Sequence, residues 1–157
     1  MATTITAATL TVTLTEERTL NGQDKGSTNA LTVASVTEVS QRIVNIPVAE
    51  VIIIAMGASA VAAGQFVEAD VRYIRLTNKD DTNYITLVFR SASNTECAHK
   101  LDAGQSFIYA GTAAGIVVTH LASGSALGSP PTLVDLVDIT AFANTAACDL
   151  EIFVAGD

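Results

Sequence analysis

The sequence predicts an all-β protein, an antiparallel β-sandwich of jelly-roll-like type, and three observations lead to this prediction. Thr, Val and Ile are abundant, and β-branched side chains suit a pleated sheet better than a helix. Several segments alternate apolar and polar residues at period two, as half-buried strands do. Turn-forming residues recur every ~8–12 residues, which indicates about eight to ten short antiparallel strands.

The first strand is expected in the stretch TLTVTLT, at residues 9–15. Leu10, Val12 and Leu14 share one face of such a strand, and threonines line the other. The strand is either an arm that pairs with a neighbour's sheet or an edge strand of its own domain. We therefore divide the chain into an N-terminal strand or arm at residues 1–19 and a β-sandwich domain at residues 20–157.

The next strands are separated by recognisable turn signals. Residues 19–29 contain Asn21-Gly22 and Gly26 and predict a loop or a hairpin turn. Residues 30–48 alternate loosely and predict a strand that ends near Pro47. Residues 50–56 are apolar on both faces, which is typical of a strand buried on both sides.

The stretch VRYIRLTNKDDTNYITLVFR, at residues 71–90, predicts one antiparallel hairpin closed by the polar turn NKDDTN. The predicted register pairs Ile74 with Leu87 and Leu76 with Ile85. The residues expected to face the core are Ile74, Leu76, Ile85, Leu87 and Phe89. The residues expected on the opposite face, as a candidate interface with a neighbour or with solvent, are Tyr73, Arg75, Tyr84 and Arg90.

The remaining chain continues the same pattern. Residues 96–111 read as two strands around a turn at Asp102-Ala103-Gly104. A short strand is expected at residues 116–121, followed by a connection rich in Gly, Ser and Pro. The last two strands are expected at residues 133–143 and 148–157.

Composition and charge limit the classes of partner. The net charge is −8 and only 15% of residues are charged. Eight scattered basic residues predict binding neither to nucleic acid nor to an anionic membrane. No signal peptide or membrane-spanning stretch is apparent, and Cys97 and Cys148 are expected as free thiols. So few charges on a small domain indicate that a partner or another copy covers part of its surface.

No group of residues predicts catalysis, a metal site or a cofactor site. His99 and His120 lack a recognisable Ser/Asp arrangement, and no G-x-S-x-G motif is present. Cys97 and His99 alone do not complete a zinc site. We therefore expect no enzyme activity, no cofactor and no bound metal.

Three weaker patterns have ordinary structural explanations. The acidic residues of NKDD, at residues 78–81, lack calcium-loop spacing and read as a solvated turn. The glycines at residues 124–128 lack the Lys of a phosphate-binding loop. Asp135 and Asp138 do not indicate a glycosidase, because Trp is absent and aromatic residues are few.

Residues 31–157 nevertheless carry a resemblance to a known group of proteins. The stretches EVSQRIVNIP, RYIRLTN, YITL, KLDAGQSFIYAG and DLEIFVAGD resemble those of small β-rich virion structural proteins of tailed phages, particularly phages of marine and cyanobacterial hosts. This group includes capsid decoration (cement) proteins and tail or neck components. The resemblance implies a non-enzymatic protein made in the host cytoplasm and located in the virion.

The function expected from residues and resemblance together is capsid decoration, in which the protein reinforces contacts between capsid subunits. The expected partners are the major capsid protein or another virion protein, and further copies of the chain in a homo-oligomer, with a trimer favoured. One alternative is a tail or neck component, such as a tube, adaptor or fibre-associated subunit. Another is a receptor- or glycan-binding module with an exposed cluster of Tyr73, Tyr84 and Tyr109.

Overall fold

The protein is built of β-strands, as the sequence predicts. The computed structural model describes residues 5–92, 96–110, 117–118 and 134–157. These ranges contain no helix. They therefore contain no helix that is long and apolar enough to span a bilayer. The strands are β1 (Ala8–Glu16), β2 (Thr19–Leu20), β3 (Gln23–Asp24), β4 (Ser27–Val36), β5 (Glu38–Ile46), β6 (Val51–Gly57), β7 (Gln65–Val67), β8 (Val71–Asn78), β9 (Ile85–Ser91), β10 (Glu96–Leu101), β11 (Ser106–Ala110), β12 (Val117–Val118), β13 (Val134–Ala143) and β14 (Cys148–Gly156).

Two sheets form a β-sandwich. The larger sheet has the order β10-β9-β13-β6-β7, and β12 pairs with β13. The smaller sheet has the order β11-β8-β14-β5. All described pairings within these sheets are antiparallel except the parallel pair β6–β7. The sandwich prediction is confirmed, and jelly-roll topology stays a prediction.

Many connections between successive strands are arches, in which the chain crosses from one sheet to the other, rather than hairpins within one sheet. Four of the points at which the chain changes sheets lie between β5 and β6, β8 and β9, β10 and β11, and β13 and β14. The series β10-β9-β13-β6 in one sheet matches β11-β8-β14-β5 in the other. The two strands joined by each of these four arches therefore hold matching positions, one in each sheet.

The predicted hairpin at residues 71–90 is wrong. Strand β8 pairs with β11 and β14, whereas β9 pairs with β10 and β13. Alternation along a strand shows which face is apolar, but it does not identify the partner strand. The six-residue connection is long enough to cross the ~10 Å between packed sheets. Both strands thus bury their apolar faces against each other's sheet.

The predicted core residues of this stretch are confirmed. Ile74, Leu76, Ile85 and Leu87 are fully buried, and Phe89 is almost so. They join one hydrophobic core between the sheets, which also includes Ile46, Ile54, Leu136, Ile139, Leu150 and Ile152.

Strands β1 to β4 form one long hairpin. Strand β1 pairs with β4, and the short pair β2–β3 continues the ladder to the tip. Asn21 and Gly22 both have positive φ, 52° and 75°, as a type I′ turn requires, so the turn prediction is confirmed. Strand β1 thus pairs within its own chain, and the division of the chain at residue 19 stays a prediction.

Two predicted strands differ in detail. The predicted strand at residues 30–48 is two strands, β4 and β5, with a bulge near Ser35, whose φ is 59°; its end before Pro47 is confirmed. Strand β6 is not buried on both sides, because Ile52 is exposed. An irregularity in its pairing with β13 brings both Ile53 and Ile54 into the core.

Candidate interaction surface

The β1–β4 hairpin packs on the outer face of the smaller sheet. Val33 and Val36 of β4 form a second hydrophobic cluster with Tyr73 of β8 and Ala155 of β14. Tyr73 also contacts Phe153 edge to face, with ring centroids 5.8 Å apart. The smaller sheet therefore has apolar layers on both sides, one in the sandwich core and one beneath the hairpin.

The hairpin crosses this sheet from β14 towards the edge strand β11. At its base, the backbone amide of Thr37 donates to the carbonyl of Gly156 at 2.9 Å. Further along, Val12 and Leu31 lie beside Ile108 of β11. Residues 13–30 are all exposed. The outer part of the hairpin thus projects from the body. We call these 18 residues, 13–30, the arm from here on; they differ from the arm predicted at residues 1–19.

An apolar groove lies under the start of this arm. It has a volume of about 280 Å³. Leu14, the next inward-facing residue of β1 after Val12, is 55% exposed. The alternation that buries Val12 against the sheet continues to Leu14, which remains more than half exposed. The residues that line the groove are Val12, Leu14, Asn29, Ala30, Leu31 and Ile108.

The opposite edge of the smaller sheet also presents apolar side chains. Strand β5 pairs with β14 and with no other described strand. Val39 and Ile43 on its outer face are 57% and 63% exposed. The strand contains neither Lys nor Pro, two residues that commonly protect edge strands from pairing with other chains.

Polar side chains separate these apolar positions on the outer face. The Gln41 amide donates to Glu151 at 2.9 Å, and the Arg75 guanidinium donates to the same carboxylate at 3.0 Å. These bonds, Gln41's first, lower the pKa of Glu151. Arg75 also lies 5.9 Å from the ring centroid of Phe153. Arg75 is thus held to its own sheet.

Tyr73, the first of the predicted interface residues, is only 4% exposed. Its own hairpin covers it, and burial raises the pKa of its hydroxyl. A neighbouring molecule cannot reach Tyr73 while the hairpin is in place. The prediction that Tyr73 faces a neighbour or solvent therefore does not describe this structure.

Arg90 lies on the larger sheet, at the centre of a group of carboxylates. Its guanidinium donates to Glu96 at 2.8 Å, to Asp138 at 3.2 Å and to Glu50 at 3.3 Å. Glu50 also accepts a bond from the Thr140 hydroxyl at 2.5 Å. These bonds tie β9 to its neighbours β10 and β13 and to the residue that precedes β6.

The four predicted interface residues do not form one surface. Tyr84 lies just before β9, with the Lys100 ammonium 4.6 Å above its ring. Tyr73 and Arg75 belong to the smaller sheet, whereas Tyr84 and Arg90 belong to the side of the larger sheet. Since β8 and β9 form an arch and not a hairpin, the two pairs lie on different sheets.

The acidic turn between β8 and β9 is held together by hydrogen bonds between its own residues. The Asp80 carboxylate accepts backbone bonds from Asn83 at 2.6 Å and Thr82 at 2.8 Å. These bonds, Asn83's first, lower the pKa of Asp80. Asn78 is fully buried, and its amide donates to the carbonyls of Asn83 and Leu101. The acidic turn thus has a structural role in the arch.

Among the described residues, the other candidates for catalysis or metal binding do not assemble into a site. In the ranges that the structure describes, no group of three or more His, Cys, Asp and Glu residues could hold a metal ion. The His99 ring contacts the Phe107 ring at a tilt of 53°, with centroids 5.1 Å apart, and Asp102 forms an ion pair with Lys100. The predicted roles of His120 and of residues 124–128 lie outside the described residues.

The remaining candidates are held by ordinary contacts. Asp138 binds Arg90, while the backbone carbonyl of Asp135 accepts a bond from Ala92. Cys97 is exposed and Cys148 is buried, both as free thiols, and burial raises the pKa of Cys148.

Sequence reasoning missed the two exposed apolar positions Ile43 and Ile108. A signal for Ile43 was present, because residues 38–46 place apolar side chains on both faces of the strand. Ile108 carried no such signal, since its exposure depends on where the hairpin crosses β11.

Comparison with known proteins adds no family or function. No protein-family model matches the chain, and neither the curated proteins nor the solved structures that were compared gave a match.

Proposed function

We propose that this protein is a non-enzymatic structural component of a tailed-phage virion, and that it decorates the capsid and reinforces contacts between capsid subunits. One observation carries the proposal: a rigid two-sheet body presents a β-hairpin whose outer 18 residues, 13–30, are all exposed. An arm of this kind buries little surface against its own body and suits the binding of another protein.

The chemistry of the arm supports binding by strand addition. Strands β1 and β4 each have one ladder edge without a partner among the described strands. An extended segment of another protein can pair with such an edge through backbone hydrogen bonds. The threonine hydroxyls of β1 can satisfy backbone groups or water in such an interface.

The contacts within the two-sheet body are also evidence for a structural role. Its charged side chains Arg72, Arg75 and Arg90 are engaged in ion pairs with Asp157, Glu151 and three carboxylates of the larger sheet. These contacts hold strands together. The arm, in contrast, is exposed over residues 13–30 and is available to a partner.

A tail or neck position is the second candidate, because the same arm would serve there. Copy number distinguishes the two positions: a shell protein is expected in hundreds of copies per particle, a tail or neck protein in far fewer. Quantitative mass spectrometry of purified particles, scaled to the major capsid protein, measures this ratio.

The glycan-binding alternative depended on an exposed cluster of three tyrosines. Tyr73 is buried beneath the hairpin, and Tyr84 lies under Lys100. Tyr109 is directly opposite Ile74 in the β11–β8 ladder and contacts Phe107. The three rings do not share a surface, so the structure offers no support for this alternative.

The proposed function is tested with particles that lack the protein. Wild-type chain added to them should bind and raise their resistance to heat and shear. A variant in which Asn-Gly replaces residues 16–27 keeps the base of the hairpin but removes most of the arm, and it should fail to bind. The control is a variant with Asn21-Gly22 exchanged for Asp-Gly, which keeps the turn type and should bind as the wild type does.

Two results would overturn the proposal. One is binding of the shortened variant with unchanged affinity. The other is equal resistance to heat and shear in particles with and without the protein.

A further inference from the structure

Exposed large apolar side chains of the described chain are concentrated in two regions. One region is the arm and the adjoining part of β11, and the other is the β5–β6 side of the sandwich. In the first region they are Leu14, Leu20 and Ile108, and in the second Val39, Ile43, Val48, Ile52 and Val61, while Ile5 precedes the base of the hairpin. The arm projects past β11, at one edge of the smaller sheet, while β5 forms its other edge.

We propose that copies of this chain associate head to tail, with the apolar underside of one copy's arm covering the outer face of β5 in the next copy. We call the first surface the arm underside, formed by Val12, Leu14, Leu31 and Ile108, and the second the β5 face, formed by Val39, Gln41, Ile43 and Asn45.

The contact within one chain shows what the arm underside binds. At its base, the hairpin covers a row of outer-face residues in which Tyr73 of β8 lies beside Ala155 of β14. The same row continues to Val39 of β5, directly opposite Ala155, and there it is exposed. The hairpin therefore covers the middle of an apolar row and leaves its β5 end open.

The apolar face of the hairpin, formed on β1 by Leu10, Val12 and Leu14, is longer than the part of the sheet that it covers. Leu10 and Val12 pack on the sheet, and Leu14 continues the same face beyond β11. A second copy placed beside β11 with its β5 face under the arm would give Leu14 the kind of surface that Leu10 already contacts. The occupant that fits is thus another copy of this chain.

Charge and backbone chemistry favour this contact. The residues that form the arm underside and the β5 face carry no charge, so that their contact would leave no unpaired charge buried. The charged residues of the arm lie nearer its tip, at positions 16–18, 24 and 25. The free ladder edge of β5 also lies at this interface and is available for backbone hydrogen bonds.

The arrangement determines the symmetry. Each copy offers one arm and one β5 face, which are different surfaces, so the interface is heterologous and builds a ring if its rotation closes or a filament if it does not. The inference rests on the proposed function and deepens it, because it says how the homo-oligomer expected of a capsid decoration protein would be held together. Its test uses the purified chain without particles, so its failure is distinguishable from failure of the particle-binding experiment.

The test measures molar mass by size exclusion with light scattering, using full-length chains. The wild type should be larger than a dimer. Leu14→Lys disables the arm underside and Ile43→Lys disables the β5 face, and each variant alone should be monomeric. Both side chains are exposed, so both variants should fold, which circular dichroism and urea unfolding verify.

Mixing the two variants gives the decisive result. Ile43→Lys retains an intact arm and Leu14→Lys retains an intact β5 face, so an equimolar mixture should form heterodimers and nothing larger. The controls are Thr13→Lys, on the opposite face of β1, and Ile52→Lys, on the outer face of the larger sheet, and both should keep the wild-type mass.

Other outcomes would reject the inference. A monomeric wild type means that the two surfaces do not bind each other. If only one of the two variants loses the oligomer, a symmetric contact of arm with arm or of β5 with β5 holds the copies together. A mixture that stays monomeric also excludes the head-to-tail contact.

Discussion

Asn78 shows how one buried polar residue fixes the connection between the two sheets. Its side-chain amide donates to the carbonyls of Asn83 and Leu101, and its carbonyl accepts the backbone amide of Asp80 at 3.0 Å. The side chain thus joins the end of β8 to the turn that follows and to the end of β10. The sequence predicted a polar turn here, but periodicity gives no sign that Asn78 would bridge two sheets.

Asn78→Ala should therefore lower the free energy of unfolding by about 2 to 3 kcal/mol, because it leaves buried backbone groups without hydrogen-bond partners. Urea unfolding measures the loss. Thr82→Ala is the matched control, since its hydroxyl makes only an exposed bond to Asp81, and it should cost less than about 0.5 kcal/mol. Equal losses in the two variants would contradict the role assigned to Asn78.

Asp80 should make stability depend on pH in the acid range. The backbone amides of Asn83 and Thr82 hold its pKa below the ordinary value of 3.8. A carboxyl whose pKa is lower in the folded state stabilises the protein above its unfolded pKa, and this contribution disappears as the pH falls through the folded value. The stabilisation is thus complete at neutral pH and is lost progressively below pH 3.8.

Asp80→Asn tests this dependence, because an amide does not titrate in this range. The variant should be less stable than the wild type at neutral pH, and the difference should shrink as the pH is lowered below 3.8. Urea midpoints measured across the acid range show the trend. Asp81→Asn is the control and should follow the wild-type curve, whereas a constant difference between Asp80→Asn and the wild type would refute the prediction.

At the level of elements, the β1–β4 hairpin combines a docked base with a projecting arm. Its ladder is local and its turn has the residues that a type I′ turn requires, which is why the sequence identified the turn. The alternation of Leu10, Val12 and Leu14 also predicted an apolar face. Which surface that face covers could not be predicted, because Tyr73 and Phe153 lie far along the chain.

Val33→Asp should detach the hairpin base without unfolding the sandwich. Val33 is buried between β4 and the smaller sheet, and a carboxylate placed there without a partner is strongly unfavourable. Hydrogen exchange should show lost protection for β1 and β4 amides, and retained protection for β8 and β14. Thr32→Asp, on the exposed face, should keep wild-type protection; global loss of protection in Val33→Asp would instead show that the hairpin and sandwich unfold together.

At the level of the whole molecule, a single core joins the two sheets. The sequence could predict that strands form and which side of residues 71–90 faces the core, because alternation of apolar and polar residues indicates local burial. The pairing of β8 with β14 and of β9 with β13 was not predictable, since these partners are separated by more than 40 residues and share no local signal. The candidate interface at Tyr73, Arg75, Tyr84 and Arg90 failed as one surface for this reason.

Ile139→Ala should destabilise both sheets together. Ile139 is fully buried between β6 and β9 in the larger sheet, and its truncation should cost about 3 to 5 kcal/mol through lost burial and a residual cavity. Urea unfolding should remain a single transition with a lower midpoint. Ile52→Ala, at an exposed position of β6, should stay within about 0.5 kcal/mol of the wild type, and two separate transitions in Ile139→Ala would argue against one shared core.

The position of β14 has a consequence for the order in which the protein folds. This strand follows the other described strands, yet it lies between β8 and β5 in the smaller sheet. During synthesis the ladder edges of β5 and β8 that pair with β14 stay open until residues 148–156 have left the ribosome. The β1–β4 hairpin, whose contacts are local, can form much earlier. In a newly made chain the hairpin therefore forms well before the sheet on which its base packs is complete.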